Sequence, residues 1–237
     1  MAGAPVFILG VFFLFFSTYT ISGKVTDLAS KEAIAGVELS VGNVVVTTNN
    51  EGEFKIENLK KYQSNFLKIK TPTGYEEVTP IHLESGKEDI QNIEIVPTLE
   101  TMVTRINDAA RNTQHDYLWD YMHPDDQEYW GSREKYVTTF KKVNEIKKEL
   151  GVASVSTIEI GKNIRKLDSW KHEITEKEYA DVMEVPVEAK VGENKSEIDL
   201  LYFQKKDGVW RYFTQKKKEE YQTIIDEYEK WKSLFSD

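Results

Sequence analysis

The spacing of apolar residues changes once along the chain, close to Pro97, and this change restricts the possible folds more than any other feature. Before Pro97, apolar and polar residues alternate in short runs separated by turn residues; after it, apolar residues recur every three or four positions. A period of two is typical of strands with one buried face, and a period near 3.6 is typical of amphipathic helices. We therefore predict an all-β sandwich domain over residues 21–97, followed by an α+β domain over residues 98–237 with a C-terminal helix.

The first domain is divided by turn signals such as Gly42-Asn43 and the run Asn-Asn-Glu-Gly that ends at Gly52. Gly52 suits a turn position with positive φ. The predicted strands are short and evenly spaced: residues 22–27, 36–41, 44–48, 53–56, 66–70, 77–84 and 90–96. Seven such strands predict a two-layer β-sandwich.

Four segments of this domain, GKVTD, AGVELSV, TTNNEGEFKIENL and FLKIKTPTGYEEVTPIHLE, follow one another in order. Together they resemble a carboxypeptidase regulatory-like domain. The resemblance implies a transthyretin-like β-sandwich, of a family that occurs widely at the N-terminal side of bacterial envelope proteins. It also implies that these residues are structural and that the domain is not catalytic.

Some related surface sandwiches link a lysine of the first strand to an asparagine of the last strand, assisted by an acid. Lys24, Asn92 and Glu38 are the residues of this chain that could take those roles. However, Lys24 alternates with Val25, so its side chain is expected on the face opposite the core, because an unpaired buried lysine is unfavourable. We predict that Lys24 faces solvent and forms no such link.

The N-terminal region contains the uninterrupted apolar run VFILGVFFLFF at residues 6–16. It is shorter than the ~20 residues that span a bilayer, although residues 17–21 extend it. Its length fits the apolar part of a secretory signal, although no Lys or Arg precedes it and no A-x-A site follows. We predict that residues 1–20 are a signal peptide or N-terminal membrane anchor, with anchoring through residues 6–21, and that they add nothing to either core. The alternative is a buried strand.

The second domain shows helical spacing over residues 99–121 and 132–150, with Pro124 suited to the first position of a helix between them. Strands are predicted for residues 152–160, 183–191, 198–205 and 209–213, the last two joined by a turn at Asp207-Gly208. Helices followed by an antiparallel meander indicate an α+β domain. A final helix over residues 215–237 has an apolar stripe, which we expect to dock on the sheet of its own domain.

The segments AARNTQHDYLWDYMHPDD and DLLYFQKKDGVWRYF resemble the cone-shaped fold of the nuclear transport factor two and ketosteroid isomerase superfamily, over most of residues 99–214. The resemblance implies a curved sheet that can enclose a pocket. Catalysis in such a pocket needs a buried acid or base with a shifted pKa. The candidates are His115, Asp116, His123, Asp125 and Asp126, with Tyr117 and Tyr121 as hydrogen-bond donors.

Helix geometry and helix-start preferences explain why these residues occur where they do, without a catalytic role. His115 and Asp116 are adjacent on a helix and point in different directions, whereas His123, Asp125 and Asp126 surround Pro124 as helix-start residues. One histidine with two such aspartates is also a poor metal-ligand set. We predict no catalytic residue, no metal and no cofactor.

Composition excludes several classes of protein. Forty acidic against 31 basic residues give a net charge of −9, which argues against a nucleic-acid partner. The absence of cysteine excludes disulfides, thiolate zinc sites and cysteine nucleophiles. The sequence also lacks the glycine-rich phosphate loop, the dinucleotide-binding fingerprint and the nucleophile elbow.

Aromatic residues provide another route to function, because Trp119, Tyr121, Trp130 and Trp210 could line a groove for a sugar or peptide; the alternative is that they form the core. We therefore predict an exported, extracytoplasmic, cell-envelope-associated, non-catalytic binding or scaffolding protein with a protein or glycan partner. One alternative is a small enzyme or ligand carrier that uses a cavity in the second domain. Another is an accessory subunit of an envelope complex, docking through its terminal helix or an exposed sheet edge.

Overall fold

The computed structural model describes residues 18–60, 66–84, 89–152, 155–191 and 195–234. The chain divides into two compact units, Met1–Thr98 and Leu99–Asp237. Most of the predicted export segment, residues 1–17, lies outside the described residues. Among the residues described, no helix combines the length and apolar character needed to cross a bilayer.

The described part of the first unit contains seven strands in two sheets. In chain order they are β1 (Thr18–Asp27), β2 (Glu38–Val41), β3 (Val44–Thr47), β4 (Glu53–Lys60), β5 (Phe66–Lys70), β6 (Ile81–His82) and β7 (Asp89–Ile95). One sheet has the order β4-β1-β7, with β1 antiparallel to β4 and parallel to β7. The other has the order β3-β2-β5-β6, and all its pairs are antiparallel.

A single cluster of apolar side chains, contributed by both sheets, forms the core of this unit. Its members are Tyr19, Ile21, Val25, Val37, Leu39, Val41, Phe54, Ile56, Leu59, Leu67, Ile69, Leu83, Ile93 and Ile95. Alternate residues of β5, and of β4 from Glu53 to Glu57, are buried, as the sequence pattern predicts. The expectation that residues 1–20 add nothing to a core is wrong for Tyr19: β1 begins at Thr18, and Tyr19 is 5% exposed.

Two glycines in this unit are required by close backbone approach. A Cβ atom at Gly23 would lie 1.9 Å from the carbonyl oxygen of Gln91 in β7, so a side chain there is incompatible with the β1–β7 pair. Gly52 has φ +75°, as its turn position predicts, and a Cβ there would lie 2.5 Å from the carbonyl oxygen of Val25.

The prediction for Lys24 is confirmed. Its side chain is exposed, and in the parallel β1–β7 register it is the neighbour of Asn92, which is also exposed. Glu38 belongs to the other sheet, where its carboxylate lies 3.7 Å from the Lys70 ammonium. The three residues considered for a cross-link are therefore not brought together.

The described part of the second unit contains five helices: α1 (Leu99–Arg111), α2 (His115–Tyr121), α3 (Pro124–Trp130), α4 (Arg133–Glu149) and, near the C-terminus, α5 (Lys218–Ser233). The helical pattern of residues 99–121 is interrupted after α1, where Thr113 has φ +56°. Pro124 occupies the start of α3 as predicted. Ser132 is the N-cap of α4, and its hydroxyl oxygen accepts a hydrogen bond from the Lys135 N–H at 3.2 Å.

The strands of this unit are β8 (Val155–Ile160), β9 (Arg165–Leu167), β10 (Trp170–Lys171), β11 (Glu178–Tyr179), β12 (Val182–Val191), β13 (Lys195–Lys206) and β14 (Val209–Tyr212). The main sheet has the order β14-β13-β12-β8, and β9 also pairs with β12. Strands β10 and β11 form a separate hairpin, called here the β10–β11 hairpin, in a stretch for which no elements were predicted.

The terminal helix docks on its own unit, but against helices rather than the sheet. The ring of Tyr221 lies 4.6 Å from that of Phe140 in α4 and 5.9 Å from that of Trp130 in α3. Farther along, Lys142 and Glu229 form a 2.7 Å ion pair. The terminal helix docks there because the aromatic residues of α3 and α4 provide an apolar surface for α5.

Candidate functional site

The aromatic residues singled out in the sequence have two different environments. Trp130 and Tyr121 are 1% and 5% exposed. The indole of Trp130 lies 5.1 Å from the ring of Tyr136 and 5.6 Å from that of Phe140, so it forms part of the packing between helices. Neighbouring side chains cover the rings of Trp130 and Tyr121, so neither ring can stack against a ligand.

Trp119 and Trp210 are half-buried. The ring of Trp119 lies 5.7 Å from that of Tyr136, and the Lys205 ammonium lies 5.6 Å from the centre of the Trp210 ring. Part of each indole stays accessible, and a binding role for these two residues stays a prediction.

Polar chemistry in the second unit is concentrated where the start of α3, the β10–β11 hairpin and the segment after β14 meet. We call His123, Asp125, Asp126, His172 and Tyr179 the polar cluster. Its two histidines are each 3% exposed and Asp126 is 0% exposed. The α3 residues are among the candidates that the sequence offers, but His172 is not. The available signal was an aromatic one: Trp170 and Tyr179, which pair across the hairpin, flank His172.

His172 and Asp126 form the buried centre of this cluster. The Nε2 atom of His172 lies 2.9 Å from the Thr214 carbonyl oxygen, which only accepts hydrogen bonds, so Nε2 carries the proton. The Nδ1 atom lies 3.3 Å from Asp126 Oδ1 and 3.1 Å from the Thr175 hydroxyl. The other carboxylate oxygen of Asp126 accepts a 2.6 Å hydrogen bond from the Thr214 N–H.

Asp126 Oδ1 lies 3.3 Å from His172 Nδ1 but, among the described residues, this buried oxygen has no hydrogen-bond partner. A buried carboxylate oxygen without a partner is unfavourable, so the site favours the protonated, neutral form of Asp126. Burial raises the pKa of Asp126 to about 6, and the nearby His172 and the Thr214 N–H oppose this shift only in part. Asp126 therefore keeps its proton to a higher pH than an exposed aspartate does.

His123 is held in one tautomer by its neighbours. Its Nδ1 accepts a hydrogen bond from the Asp125 N–H at 3.3 Å, and its Nε2 lies 3.1 Å from the Gln204 side-chain oxygen. The amide nitrogen of Gln204 donates to the Ala180 carbonyl, so its oxygen accepts from Nε2. The imidazole also stacks on Phe213 at 4.3 Å. Burial lowers the pKa of His123, which favours this neutral form.

Asp125 ties the β10–β11 hairpin to α3. One carboxylate oxygen accepts a 2.6 Å hydrogen bond from the Tyr179 hydroxyl, and the other accepts a 2.8 Å bond from the Lys177 ammonium. Burial tends to raise the pKa of Asp125, but the bonds from Lys177 and Tyr179 outweigh it and the pKa is lowered. The pKa of Tyr179 is raised, first by burial and then by its bond to Asp125.

The other catalytic candidates are not part of this cluster. His115 lies between α2 and α4, with Nε2 2.8 Å from the Asn144 amide and its ring 5.4 Å from that of Phe140. Burial lowers its pKa. Asp116 is exposed and lies 3.7 Å from Arg133. Within the described parts of the chain, no group of three His, Asp or Glu side chains is arranged to hold a metal ion.

Both ring nitrogens of His123 and of His172 therefore face fixed protein partners. The arrangement can fasten three segments to each other and can hold a proton. A general base needs a lone pair directed at a reacting group, and neither histidine has one in this geometry. His123 and Asp126 lie at a helix start, as the sequence predicts, but they are buried together with His172.

A second feature of the unit is an exposed apolar surface at the ends of α4 and α5. The Tyr228 hydroxyl donates to the Glu149 carboxylate, and Lys232 lies 3.5 Å from the same group, so the two helix ends are adjacent. Around these contacts lie four exposed apolar residues, which we call the helix-end surface: Leu150 (54%), Val152 (52%), Trp231 (51%) and Leu234 (70%).

Comparison with known proteins gives only partial likenesses. No family model matches the sequence, and no curated protein matches it. Among solved structures, the pilus 2b backbone protein of group B streptococcus is 18% identical, with a TM-score of 0.27, over 34% of this chain and 42% of that chain. A streptococcal ancillary pilin is 18% identical, with a TM-score of 0.29, over 35% of this chain and 30% of that chain.

The shaft pilin SpaA from Lactobacillus rhamnosus GG is 13% identical, with a TM-score of 0.28, over 35% of this chain and 47% of that chain. The aligned part is less than half of each of these three proteins. Likenesses at such TM-scores support no conclusion about function or assembly.

Proposed function

We propose that this protein is a non-catalytic binding or scaffolding protein of the cell envelope and that it binds a protein partner through the helix-end surface. The observation that carries the proposal is the exposure of Trp231 and Leu234, at 51% and 70%, at the end of a helix that packs Tyr221 against α3 and α4 and buries Tyr228. Exposed apolar side chains grouped at one place are typical of interaction sites.

The polar cluster supports a non-catalytic role. Its histidines are closed off from solvent and bonded on both ring nitrogens, so the unit uses its titratable groups for internal fastening. Trp130, Phe203 and Phe213, which are large enough to fill the space between a sheet and its helices, are among the largest fully buried side chains of the described residues. Both observations favour binding at the surface over chemistry in a cavity.

A protein partner suits the helix-end surface better than a glycan does. Leu150, Val152 and Leu234 are aliphatic and provide no hydrogen-bonding groups for sugar hydroxyls, while Trp231 is a residue type enriched in protein interfaces. A glycan partner would instead use the half-buried indoles of Trp119 and Trp210.

Placement in the cell envelope rests on the sequence. The apolar run at residues 6–16 is the basis for export or anchoring, and it precedes a unit whose two sheets share one apolar core. We infer that this unit is a sandwich of the carboxypeptidase regulatory-like type that serves as a spacer or support for the second unit. Replacing residues 9 and 13–15 by serine should keep the protein in the compartment where it is made, which cell fractionation measures.

Site-specific photo-crosslinking in the producing cells tests the binding proposal. A photoreactive amino acid at position 231 should give one discrete protein adduct, and the additional substitution Leu234→Lys should remove it. Position 222 is the matched control, because Gln222 is exposed on the same helix and lies outside the helix-end surface. Equal adducts from positions 231 and 222, or an adduct that survives Leu234→Lys, would contradict the proposal.

A further inference from the structure

Strand β3 forms one edge of the four-stranded sheet in the first unit, and it is unusually exposed for an apolar strand. Its only ladder partner in the described structure is β2, and its sequence is Val-Val-Val-Thr. Val44 and Val45 are 37% and 56% exposed. An edge strand of this kind presents unpaired backbone groups to other chains.

The outward backbone groups of β3 can be identified from its hairpin. Gly42 and Asn43 form a two-residue loop, and Gly42 has φ +58°, so Val41 and Val44 are the hydrogen-bonded pair that closes the turn. Because the pairs alternate along an antiparallel ladder, the N–H and C=O groups of Val45 point away from β2. No described residue forms a hydrogen bond with them.

Natural proteins normally protect such edges with charge, proline or a bulge. The chain is 30% charged, yet residues 39–50, LSVGNVVVTTNN, carry no charged residue and no proline. The β2–β3 register is continuous from Val41↔Val44 to Glu38↔Thr47, without a bulge. By contrast, β4, an edge of the other sheet, carries Glu53, Lys55, Glu57 and Lys60.

We propose that β3 is a self-association edge, at which the β3 strands of two copies of this chain pair antiparallel with Val45 opposite Val45 of the second copy. A two-fold axis at Val45 pairs residues 43–47 of one copy with residues 47–43 of the other. This register pairs three of the four residues of β3 with residues of the second β3. It uses the outward groups of Val45 in both copies, and the two strands extend the four-stranded sheet across the axis.

A second copy fits this edge because the strand is neutral and self-complementary. Antiparallel self-pairing places valine opposite valine and brings no like charges together, which suits β-branched residues. A partner strand with charged residues would gain no complementary charge here. The strand is short, so the interface is well below the about 1,600 Å² of a standard complex, and the dimer is weak and concentration-dependent.

Sedimentation analysis of the full chain over a range of concentrations tests the proposal. The natural sequence should dimerise as concentration rises, whereas Val45→Lys and Val45→Glu should each raise the dimer Kd at least about tenfold, because each places like charges opposite one another. An equimolar mixture of the two variants should dimerise again, since lysine then faces glutamate. Phe66→Lys is the matched control: Phe66 is 47% exposed, but β5 pairs with a strand on each side.

The control should dimerise like the natural sequence. Four results would each overturn the proposal: a monomer at every concentration, an unchanged dimer in Val45→Lys, an equal loss in Phe66→Lys, or a mixture of the lysine and glutamate variants that remains monomeric. Association through residues outside β3 would occur equally in the natural sequence and in every variant. It would not explain a dimer that is lost in each Val45 variant and returns when the two variants are mixed.

Discussion

The cores of the two units differ in the number of polar groups that they bury. Among the residues described, the first unit buries fourteen apolar residues in one cluster and two polar residues, Asp27 and Thr48. The described part of the second unit also buries apolar side chains, and with them six polar or charged residues: Asn107, His115, His123, Asp126, His172 and Glu184. The second core thus adds specific hydrogen bonds to apolar packing.

This difference has a physical consequence. Apolar burial is non-directional and does not change with proton concentration, whereas a buried carboxylate and imidazole depend on each other and on pH. The α3 start, the β10–β11 hairpin and the Thr214 segment are irregular pieces that a sheet cannot fasten. Directional bonds fasten them instead, and we expect the second unit alone to respond to pH near neutrality.

The largest expected effect is that of Trp130→Ala. Trp130 is 1% exposed and packs on several rings, so its loss should lower the free energy of unfolding of the second unit by about 3–5 kcal/mol. All five tryptophans lie after residue 98, so tryptophan fluorescence during urea unfolding reports on this unit alone. A loss below about 1 kcal/mol would show that Trp130 is not a core residue.

The next largest effect is predicted for Leu39→Ala in the first unit, at about 2–5 kcal/mol, because Leu39 is fully buried in the apolar cluster. The loss should be the same at pH 5 and pH 8. It should appear in the unfolding followed by backbone circular dichroism and leave the tryptophan transition unchanged, if the units unfold separately. A matching shift of the tryptophan transition would mean that the two units unfold together.

A smaller effect is predicted for Tyr179→Phe, which removes the bond to Asp125 and keeps the ring against Phe213. The expected loss for the second unit is about 1 kcal/mol. Lys177→Ala is the matched control at an exposed bond to the same carboxylate, with an expected change within about 0.5 kcal/mol. If Lys177→Ala lowered the free energy of unfolding more than Tyr179→Phe does, the bond from Lys177 rather than the bond from Tyr179 would hold the hairpin.

Much of the fold follows from local sequence pattern. The alternation in β4 and β5, the turn at Gly52, Pro124 at a helix start and the exposed Lys24 are decided within a few residues, so periodicity and turn chemistry predict them. The extent of β1 was harder to predict, because Thr18 and Tyr19 continue directly from an apolar run that masks the start of the strand.

The polar cluster depends on contacts between residues far apart in the chain, and this explains what sequence reasoning missed. His172 meets Asp126 and Thr214, each more than forty positions away, and nothing local distinguishes it from a solvated loop histidine. The docking of α5 likewise depends on residues far apart in the chain, because both the sheet and the helices α3 and α4 have apolar surfaces that its stripe could cover. A periodic stripe predicts burial but not the partner that buries it.

We expect the buried Asp126 carboxyl group to make the stability of the second unit fall as pH rises toward neutrality. The most direct test of this expectation compares Asp126→Asn with the natural sequence by tryptophan fluorescence during urea unfolding from pH 4.5 to 7.5. Because burial raises the folded-state pKa of Asp126 to about 6, the stabilisation is complete below the unfolded-state pKa near 3.9 and is lost as pH rises through about 6.

Asparagine does not titrate, yet its side-chain oxygen can accept from the Thr214 N–H, as the carboxyl oxygen of Asp126 does. The stability of the variant relative to the natural protein should therefore increase by about 1–3 kcal/mol between pH 4.5 and 7.5. A difference that is constant over this range, or that shifts in favour of the natural protein as pH rises, would contradict the account.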